Sequence, residues 1–240
     1  MRTEQSRLNM AIIRSRNAGN QRMLSYAIGD VHGSFAKLRE LVAKCREHAG
    51  SRPMKFIFLG DYIDRGPESR AVVDTVIRLQ SELPGRVIAL KGNHEAVALE
   101  VIDGTTPPDF WLTQGGAQTL ENYGVQRADE LPRDHVQWLR SLPLSHDDGR
   151  RFFVHAGVDP EKPLAAQTGR DLIWIREPFL SDDRDYGRLI VHGHTPVRTG
   201  QPELRRNRLN IDTAAVYGGP LTAAVFDDVQ TEPIAFLQAV

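Results

Sequence analysis

The feature that most restricts the fold of this chain is a series of short apolar runs, each followed by a glycine beside an aspartate, an asparagine or a histidine. Residues 25–28, 56–59 and 87–90 are the first three such runs. Residues 35–45 and 72–83 lie between them and carry apolar side chains at helical spacing. This alternation of buried strands with amphipathic helices predicts βαβ units, and therefore an α/β fold in which helices cover a sheet.

The remainder of the chain has a different pattern. Residues 96–144 combine aromatic, glycine and proline residues with helical periodicity, and they predict a helical insertion beside the sheet ends. Strand-like runs with short connections follow, which indicates more antiparallel pairing in the second half; they cover residues 151–154, 189–191, 209–211, 221–226 and 233–237. We expect residues 23–240 to form a single catalytic domain, preceded by a flexible basic tail at residues 1–22.

Charge, cysteine content and hydropathy exclude several classes of protein. The 240 residues have a formal net charge of −1, so there is no overall positive field to attract nucleic acid or anionic lipid. The single cysteine, Cys45, excludes internal disulfides and a thiolate zinc site. No apolar run approaches the ~20 residues that span a bilayer. We therefore expect a cytoplasmic globular protein without a membrane partner and without stable nucleic-acid binding.

The polar residues at the strand ends form a set of candidate metal ligands. All of them offer carboxylate or amide oxygen or imidazole nitrogen; they are Asp30, His32, Asp61, Asn93, His155 and His194. Such donors suit manganese, iron or zinc. Because ligands gather at the carboxyl ends of strands in α/β sheets, these side chains can meet at one place. Six ligands exceed what one tetrahedral ion uses, so they predict two divalent ions that share a carboxylate.

Each candidate also has an ordinary structural role to set against this hypothesis. An isolated Gly-Asp after a strand is usually a turn, and an isolated histidine is usually a satisfied polar group; we assign His48, His135 and His146 to that class. Five of the eight histidines, however, fall at glycine-flanked strand ends; they are His32, His94, His155, His192 and His194. This concentration favours a metal site over coincidence.

Five motifs in a fixed order carry a resemblance to a known family. They are GDVHG at residues 29–33, GDYIDRG at 60–66, GNHE at 92–95, HAG at 155–157 and GH at 193–194. The chain resembles the phosphoprotein phosphatase family of calcineurin-like metallophosphoesterases. Further segments are similar to its bacterial and phage-type serine/threonine protein phosphatase branch; they are residues 111–112, 115–116, 123–124, 174–177, 191–196 and 211–219. The resemblance implies a mixed β-sandwich flanked by helices.

The resemblance also implies how the metal ligands divide. Its first metal site corresponds to Asp30, His32 and Asp61, and its second to Asp61, Asn93, His155 and His194. Asp61 would then bridge two ions, most simply manganese, with iron or zinc as alternatives. The ions would hold a bridging hydroxide that attacks phosphorus directly.

Two further pairs of residues take their implied roles from the same motifs. His94 matches the general acid, with Asp64 orienting it. Arg65 and Arg176 match the arginines that bind phosphate oxygens, where a planar guanidinium can form paired hydrogen bonds.

Several positions near the motifs remain open. His192 and His194 are two residues apart, so on a strand they would face the same side. The resemblance favours His194 as the ligand and leaves His192 behind it or facing substrate. Asp212 and Tyr217 are candidates to line the site, and Ala214 stands where the family pattern has glycine.

Our primary functional prediction is a phosphatase acting on phosphoserine or phosphothreonine in a phosphoprotein or phosphopeptide, as a monomer. The alternative is a hydrolase of dinucleoside polyphosphates such as diadenosine tetraphosphate. Those enzymes typically lack the second acid of GDxxDRG and have GNHD, so Asp64 and Glu95 favour the protein phosphatase. A nuclease would need a basic strip to bind the nucleic-acid backbone, which the near-neutral charge balance does not favour. A phosphate-binding module without activity would lack a metal ligand or the general acid, and all of these residues are present.

Overall fold

The computed structural model of the chain describes residues 22–240. The predicted flexible tail at residues 1–22 lies outside the described residues except for Arg22. The strands are β1 (Leu24–Ile28), β2 (Met54–Phe58), β3 (Val87–Ala89), β4 (Ser145–Asp147), β5 (Arg151–Val154), β6 (Leu189–His192), β7 (Glu203–Leu204), β8 (Arg208–Asn210), β9 (Leu221–Phe226) and β10 (Ala235–Ala239).

The helices alternate with strands in the first half of the chain and follow one another in the middle. They are α1 (Phe35–Ala49), α2 (Ser69–Glu82), α3 (Asn93–Ile102), α4 (Pro108–Trp111), α5 (Ala117–Tyr123), α6 (Arg133–Ser141) and α7 (Gly169–Trp174). Shorter turns are a π turn at Leu112–Gly116 and 3₁₀ turns at Ala128–Glu130, Leu164–Ala166 and Ala215–Tyr217. Within residues 22–240, no helix combines the length and the apolar character that crossing a membrane demands.

The described strands form two five-stranded sheets. The first has the order β10-β9-β1-β2-β3, and the second β4-β5-β6-β8-β7. β1, β2 and β3 are parallel, as are β5, β6 and β8. The other four strand pairs are antiparallel, and all of them involve strands from the second half of the chain, as predicted. The centre of the second sheet is nevertheless parallel, and the short strands β4 and β7 were not predicted.

The two sheets pack face to face, and their shared core explains why the central strands are apolar on both sides. Ala27 and Ile57 of the first sheet lie in one buried cluster with Phe153, Val191 and Leu209 of the second. Alternate residues of β1 and β2 face the opposite way and pack against the helices. Each fully buried aliphatic side chain contributes about 1.5–3 kcal/mol to this sandwich. The predicted mixed β-sandwich flanked by helices is confirmed.

The helices bury the faces that their sequence pattern predicts. In α1, Leu38, Leu41 and Cys45 are buried. The helix ends at Gly50, whose φ of 58° lets its N–H reach the carbonyls of the last turn. Helices α3 to α6 occupy most of the predicted insertion and contribute Trp111 to the same core as β1 and β2. This packing brings the middle of the chain against the strand ends.

Candidate metal centre and phosphate cleft

The polar residues that follow five strands converge on the carboxylate of Asp61. Its Oδ2 lies 3.3 Å from His32 Nε2, 3.4 Å from His155 Nε2 and 3.9 Å from His94 Nε2. These side chains come from the ends of β1, β2, β3 and β5, and His194 comes from the end of β6. Two groups have all their donor atoms within 4.8 Å of one another: His32, Asp61 and His94, and Asp61, His155 and His194. Asp61 is common to both; the first group contains His94, the predicted general acid, where the predicted first metal site has Asp30.

Hydrogen bonds through Nδ1 turn the Nε2 atoms of two histidines towards this centre. His155 Nδ1 donates to the carbonyl of Leu59 at 3.0 Å, and His32 Nδ1 donates to the carbonyl of Ile63 at 2.8 Å. Burial lowers the pKa of His155, which favours the ring with a single proton on Nδ1. In that form Nε2 directs a lone pair at the Asp61 carboxylate oxygen, 3.4 Å away. A metal cation could be bound by both atoms, and backbone carbonyls that orient histidines are typical of metal sites.

The charges of the buried carboxylates also fit divalent cations. Asp30, Asp61 and Asp212 are each at most 4% exposed. Burial, followed by the charges of Asp212 and Asp61, raises the pKa of Asp30 well above its usual range. Burial likewise raises the pKa of Asp212 to about 6. Burial would also raise the pKa of Asp61, but the neighbouring histidines hold it well below its usual range. Cations at this place would offset the carboxylate repulsion.

Asp30 and Asn93 lie beside these groups. The backbone N–H of His194 donates to both carboxylate oxygens of Asp30, at 3.1 and 3.2 Å. Asn93 Oδ1 lies 2.8 Å from His155 Nε2 and 2.9 Å from His194 Nδ1. The structure therefore brings together all six side chains that the sequence proposes as ligands.

The local backbone explains why the motifs need glycine. A Cβ at Gly92 would lie 2.1 Å from Asp61 Oδ1, and one at Gly193 would lie 2.1 Å from Asp30 Oδ1. Among residues 22–240, the non-glycine residues with positive φ are His32, Asp61, Asp64, Arg65, His194 and Ala214. Five of these six are candidate site residues, which is where strained backbone is usually concentrated.

Asp64 hydrogen-bonds the ring of His94 and is not part of the cleft lining. Its Oδ2 accepts hydrogen bonds from His94 Nδ1 at 2.7 Å and from Trp111 Nε1 at 2.8 Å, and its Oδ1 accepts from Thr119 Oγ1 at 2.7 Å. The carboxylate is fully buried. The next residue, Arg65, donates its backbone N–H to the carbonyl of Gly115 at 3.2 Å. The helical segment after β3 thus holds the turn that carries both residues.

Glu95 holds the ends of β2 and β3 together. Its Oε2 accepts the backbone N–H groups of Asp61 and Gly92, both at 2.9 Å. Its Oε1 accepts the backbone N–H of Tyr62 at 2.8 Å. Glu95 is fully buried and does not reach the cleft. It positions Asp61 and has no contact through which it could select a substrate.

A cleft of about 990 Å³ opens beside the convergent donors. Its walls include Arg65 and Arg176, the two predicted phosphate-binding arginines, together with His194. Arg65 Nη1 lies 2.6 Å from His32 Nε2, so its guanidinium adjoins the metal centre. Arg198 and Tyr217 also line the cleft. The sequence analysis did not identify Arg198, because no glycine-flanked motif surrounds it.

His192 and His194 do not face the same side. β6 ends at His192, and His194 lies beyond it with a φ of 64°, so the alternation expected along a strand does not apply. The ring of His192 packs 5.0 Å from that of Phe179, whereas the ring of His194 lies 5.1 Å from that of His155. His192 is fully buried and lies behind the site.

The three histidines assigned to structural roles have partners away from the site. His48 lies 2.9 Å from the hydroxyl of Tyr26, and His135 lies 2.9 Å from that of Tyr123. His146 stacks on the ring of Phe153.

Two packed mixed sheets with an Asp, His and Asn donor set at their strand ends define a metal-dependent phosphoesterase. The family model described as calcineurin-like phosphoesterase matches residues 23–219. The chain belongs to this family, which implies divalent metal ions as cofactors.

Curated relatives are named for activity on dinucleotides. The chain is 30% identical over 238 residues to "Bis(5'-nucleosyl)-tetraphosphatase PrpE [asymmetrical]" of Anoxybacillus flavithermus, covering 87% of this chain and 93% of the relative. It is 35% identical over 144 residues to "Bis(5'-nucleosyl)-tetraphosphatase, symmetrical" of Bordetella pertussis, covering 58% of this chain and 47% of the relative.

Solved structures share the fold. A crystal structure of a "putative diadenosine tetraphosphatase" superimposes with a TM-score of 0.68 at 21% identity, covering 92% of this chain and 99% of that one. A serine/threonine phosphatase from Saccharomyces cerevisiae superimposes with a TM-score of 0.64 at 17% identity, covering 93% of this chain and 81% of that one.

These similarities correct the primary functional prediction. The prediction of a protein phosphatase is wrong, because curated relatives at 30–35% identity are bis(5'-nucleosyl)-tetraphosphatases. The phosphoprotein substrate is likewise unsupported. The physical reason for the error is that Asp64 and Glu95, used as markers of substrate, are both fully buried supports of the catalytic turns.

Proposed function

We propose that this protein hydrolyses a phosphoanhydride bond of dinucleoside polyphosphates such as diadenosine tetraphosphate. The observation that carries the proposal is the similarity to a bis(5'-nucleosyl)-tetraphosphatase over 93% of that relative's length. The cleft supports it. Arg65, Arg176 and Arg198 line a space that extends beyond the metal centre, and a polyphosphate chain has enough anionic oxygens to engage several arginines.

The proposed metal ligands are the six side chains gathered around Asp61. When bound, two divalent ions, of which manganese is our first choice, would activate water and neutralise charge on the phosphoryl group. The chain's own contribution is to hold the phosphate oxygens with Arg65 and Arg176. A fixed positive charge there stabilises the equatorial oxygens as the bond to phosphorus changes.

His94 is the proposed general acid. Its Nδ1 donates to Asp64 at 2.7 Å, which leaves Nε2 directed towards Asp61 and the centre of the site. A proton carried at Nε2 can be delivered to the departing oxygen, and the Asp64 carboxylate stabilises the charged ring that carries it. Trp111 and Thr119 hold Asp64 in place for this task.

The proposal is tested by kcat/KM after chelation and restoration of manganese. Diadenosine tetraphosphate and a phosphothreonine peptide are compared as substrates, with the Asp61→Asn variant as the blank. We expect the dinucleotide to be hydrolysed with the higher kcat/KM. Ion-exchange separation of the products shows which bond is cleaved, since ATP with AMP and two molecules of ADP arise from different positions. No turnover of the dinucleotide above the blank would refute the proposal.

A further inference from the structure

The rim of the arginine cleft presents an aromatic ring to solvent. Tyr217 lines the cleft and is 63% exposed, at the end of the 3₁₀ turn Ala215–Tyr217. An aromatic side chain in this position leaves a large apolar face unburied. Tyrosine combines such a face with a polar hydroxyl, which suits it to ligands that have one apolar face and one solvated polar edge.

The loop that carries Tyr217 is held firmly by backbone contacts. The N–H groups of Tyr217 and Gly219 both donate to the carbonyl of Ala214, at 2.9 and 3.0 Å. From α1, Lys37 Nζ donates to the carbonyl of Ala215 at 3.2 Å and to that of Gly219 at 2.6 Å. The ring is therefore displayed on an ordered loop, and a ligand that binds it loses little free energy in ordering the chain.

The ring also lies beside the phosphate-binding guanidinium. The guanidinium carbon of Arg65 is 5.7 Å from the centre of the Tyr217 ring, a cation–π distance. Arg65 in turn reaches His32 at 2.6 Å. A phosphate chain bound at Arg65 would thus place an attached nucleoside within reach of the exposed ring.

We propose that Tyr217 stacks on a nucleobase of the substrate and so makes this cleft selective for polyphosphates that carry a nucleoside. This deepens the proposed function and rests on it for the identity of the substrate. Stacking on an aromatic ring is available to every base, so the subsite should prefer nucleotides over inorganic polyphosphate without a strong preference among purines.

The test compares two inhibitors that differ only in the nucleoside. Inhibition constants for ATP and for inorganic tripolyphosphate are measured against hydrolysis of p-nitrophenyl phosphate by the manganese-loaded enzyme, at a fixed concentration of free manganese. The readout is the ratio of the two constants in wild type, Tyr217→Ser and Tyr217→Phe. Phe110→Ser, at an aromatic residue 47% exposed and outside the cleft lining, is the matched control.

We expect wild type to bind ATP more tightly than tripolyphosphate. Tyr217→Ser should reduce that preference by roughly 5- to 100-fold, the range seen when a stacking aromatic is removed. Tyr217→Phe should keep the preference because it keeps the π face, and Phe110→Ser should not change it. If Tyr217→Ser weakens both inhibitors by the same factor, the ring acts only through Arg65 and the proposal is overturned.

The same measurements separate this inference from the proposed function. If diadenosine tetraphosphate is not hydrolysed but the ATP preference depends on Tyr217, the proposed function fails and the base subsite stands. If the dinucleotide is hydrolysed and the ratio is insensitive to Tyr217, the subsite alone is refuted.

Discussion

The interior of the site and its rim are built in opposite ways. Asp61, His94 and Glu95 are at most 2% exposed and are fixed by hydrogen bonds, many of them to backbone. Tyr217 is 63% exposed, and Arg176 and Arg198 are also exposed at the rim. The interior gathers the groups that can perform phosphoryl chemistry, whereas the rim faces whatever is attached to the phosphate. The interior residues therefore indicate which class of reaction the site can catalyse, and the rim residues indicate which substrate it can bind.

The largest expected effect comes from the centre of the interior. Asp61→Asn removes the charge of the shared carboxylate, so we expect loss of bound metal and of turnover on every substrate. Metal content by atomic emission and kcat on two unrelated phosphate esters check this. The exposed Asp183→Asn serves as the control. Full metal content together with wild-type activity in Asp61→Asn would contradict the assignment of the bridging role.

The next largest effect separates proton transfer from metal binding. His94→Asn should keep its metal while hydrolysis of an alkyl phosphate falls by roughly 10²–10⁴-fold. The loss on a dinucleotide should be smaller, because a nucleotide leaving group is less basic and requires less protonation. Rates on both substrates are measured beside the metal content. Equal losses on the two would argue that His94 acts in some way other than as an acid.

A substitution at the rim should lower kcat/KM more for one substrate than for another, whereas a substitution in the interior should lower it for both. Arg198→Ala removes a charged donor from the cleft, so kcat/KM for diadenosine tetraphosphate should fall by about 10- to 100-fold, the value of a hydrogen bond to a charged group. The fall for p-nitrophenyl phosphate, which has one phosphate, should be smaller. Arg133→Ala, at an exposed residue of α6, is the control. An equal fall in kcat/KM on both substrates would indicate that Arg198, like the interior residues, acts on the reacting phosphate and not on the rest of the substrate.

The smallest effect concerns the stability of the rim. Ala214 has φ 62° and ψ 41°, a left-handed conformation that glycine adopts without strain. Ala214→Gly should therefore raise the free energy of unfolding by about 0.5–1 kcal/mol after allowing for the flexibility of glycine in the unfolded chain. Urea denaturation measures the change. Ala235→Gly in β10 should have the opposite sign, and stabilisation by both variants would refute the conformational explanation.

The same division explains what the sequence could predict. Glycine beside Asp30, Asp61 and Asn93 is a readable signal because a Cβ at Gly29 or Gly60 would clash with neighbouring backbone, and one at Gly92 with the Asp61 carboxylate. The convergence of strand ends follows from the α/β pattern. The apolar runs likewise predicted the central strands. β4 and β7 have three and two residues, too few to show an alternating pattern.

The errors arose where the signal is not local. We predicted that His192 and His194 face the same side because we assumed that the strand continues through both residues. The sequence does not show that β6 ends at His192. Asp64 and Glu95 were read as markers of substrate, although they contact only the protein interior. Arg198 was identified only when the fold placed it in the cleft lining, beside Tyr217, which the sequence had already proposed to line the site. The cytoplasmic location, the monomeric state and the single-domain organisation stay predictions.

The contacts of the Asp64–Arg65 turn have a consequence for protein engineering. The segment from Trp111 to Thr119 lies outside the five main motifs, yet Trp111, Gly115 and Thr119 all hydrogen-bond that turn. A Cβ at Gly115 would lie 2.5 Å from the Arg65 nitrogen. A catalytic unit transplanted or shortened on the basis of the five motifs alone would lose the hydrogen bonds that hold Asp64 and the backbone of Arg65 in place. The smallest portable version of this site must include that segment.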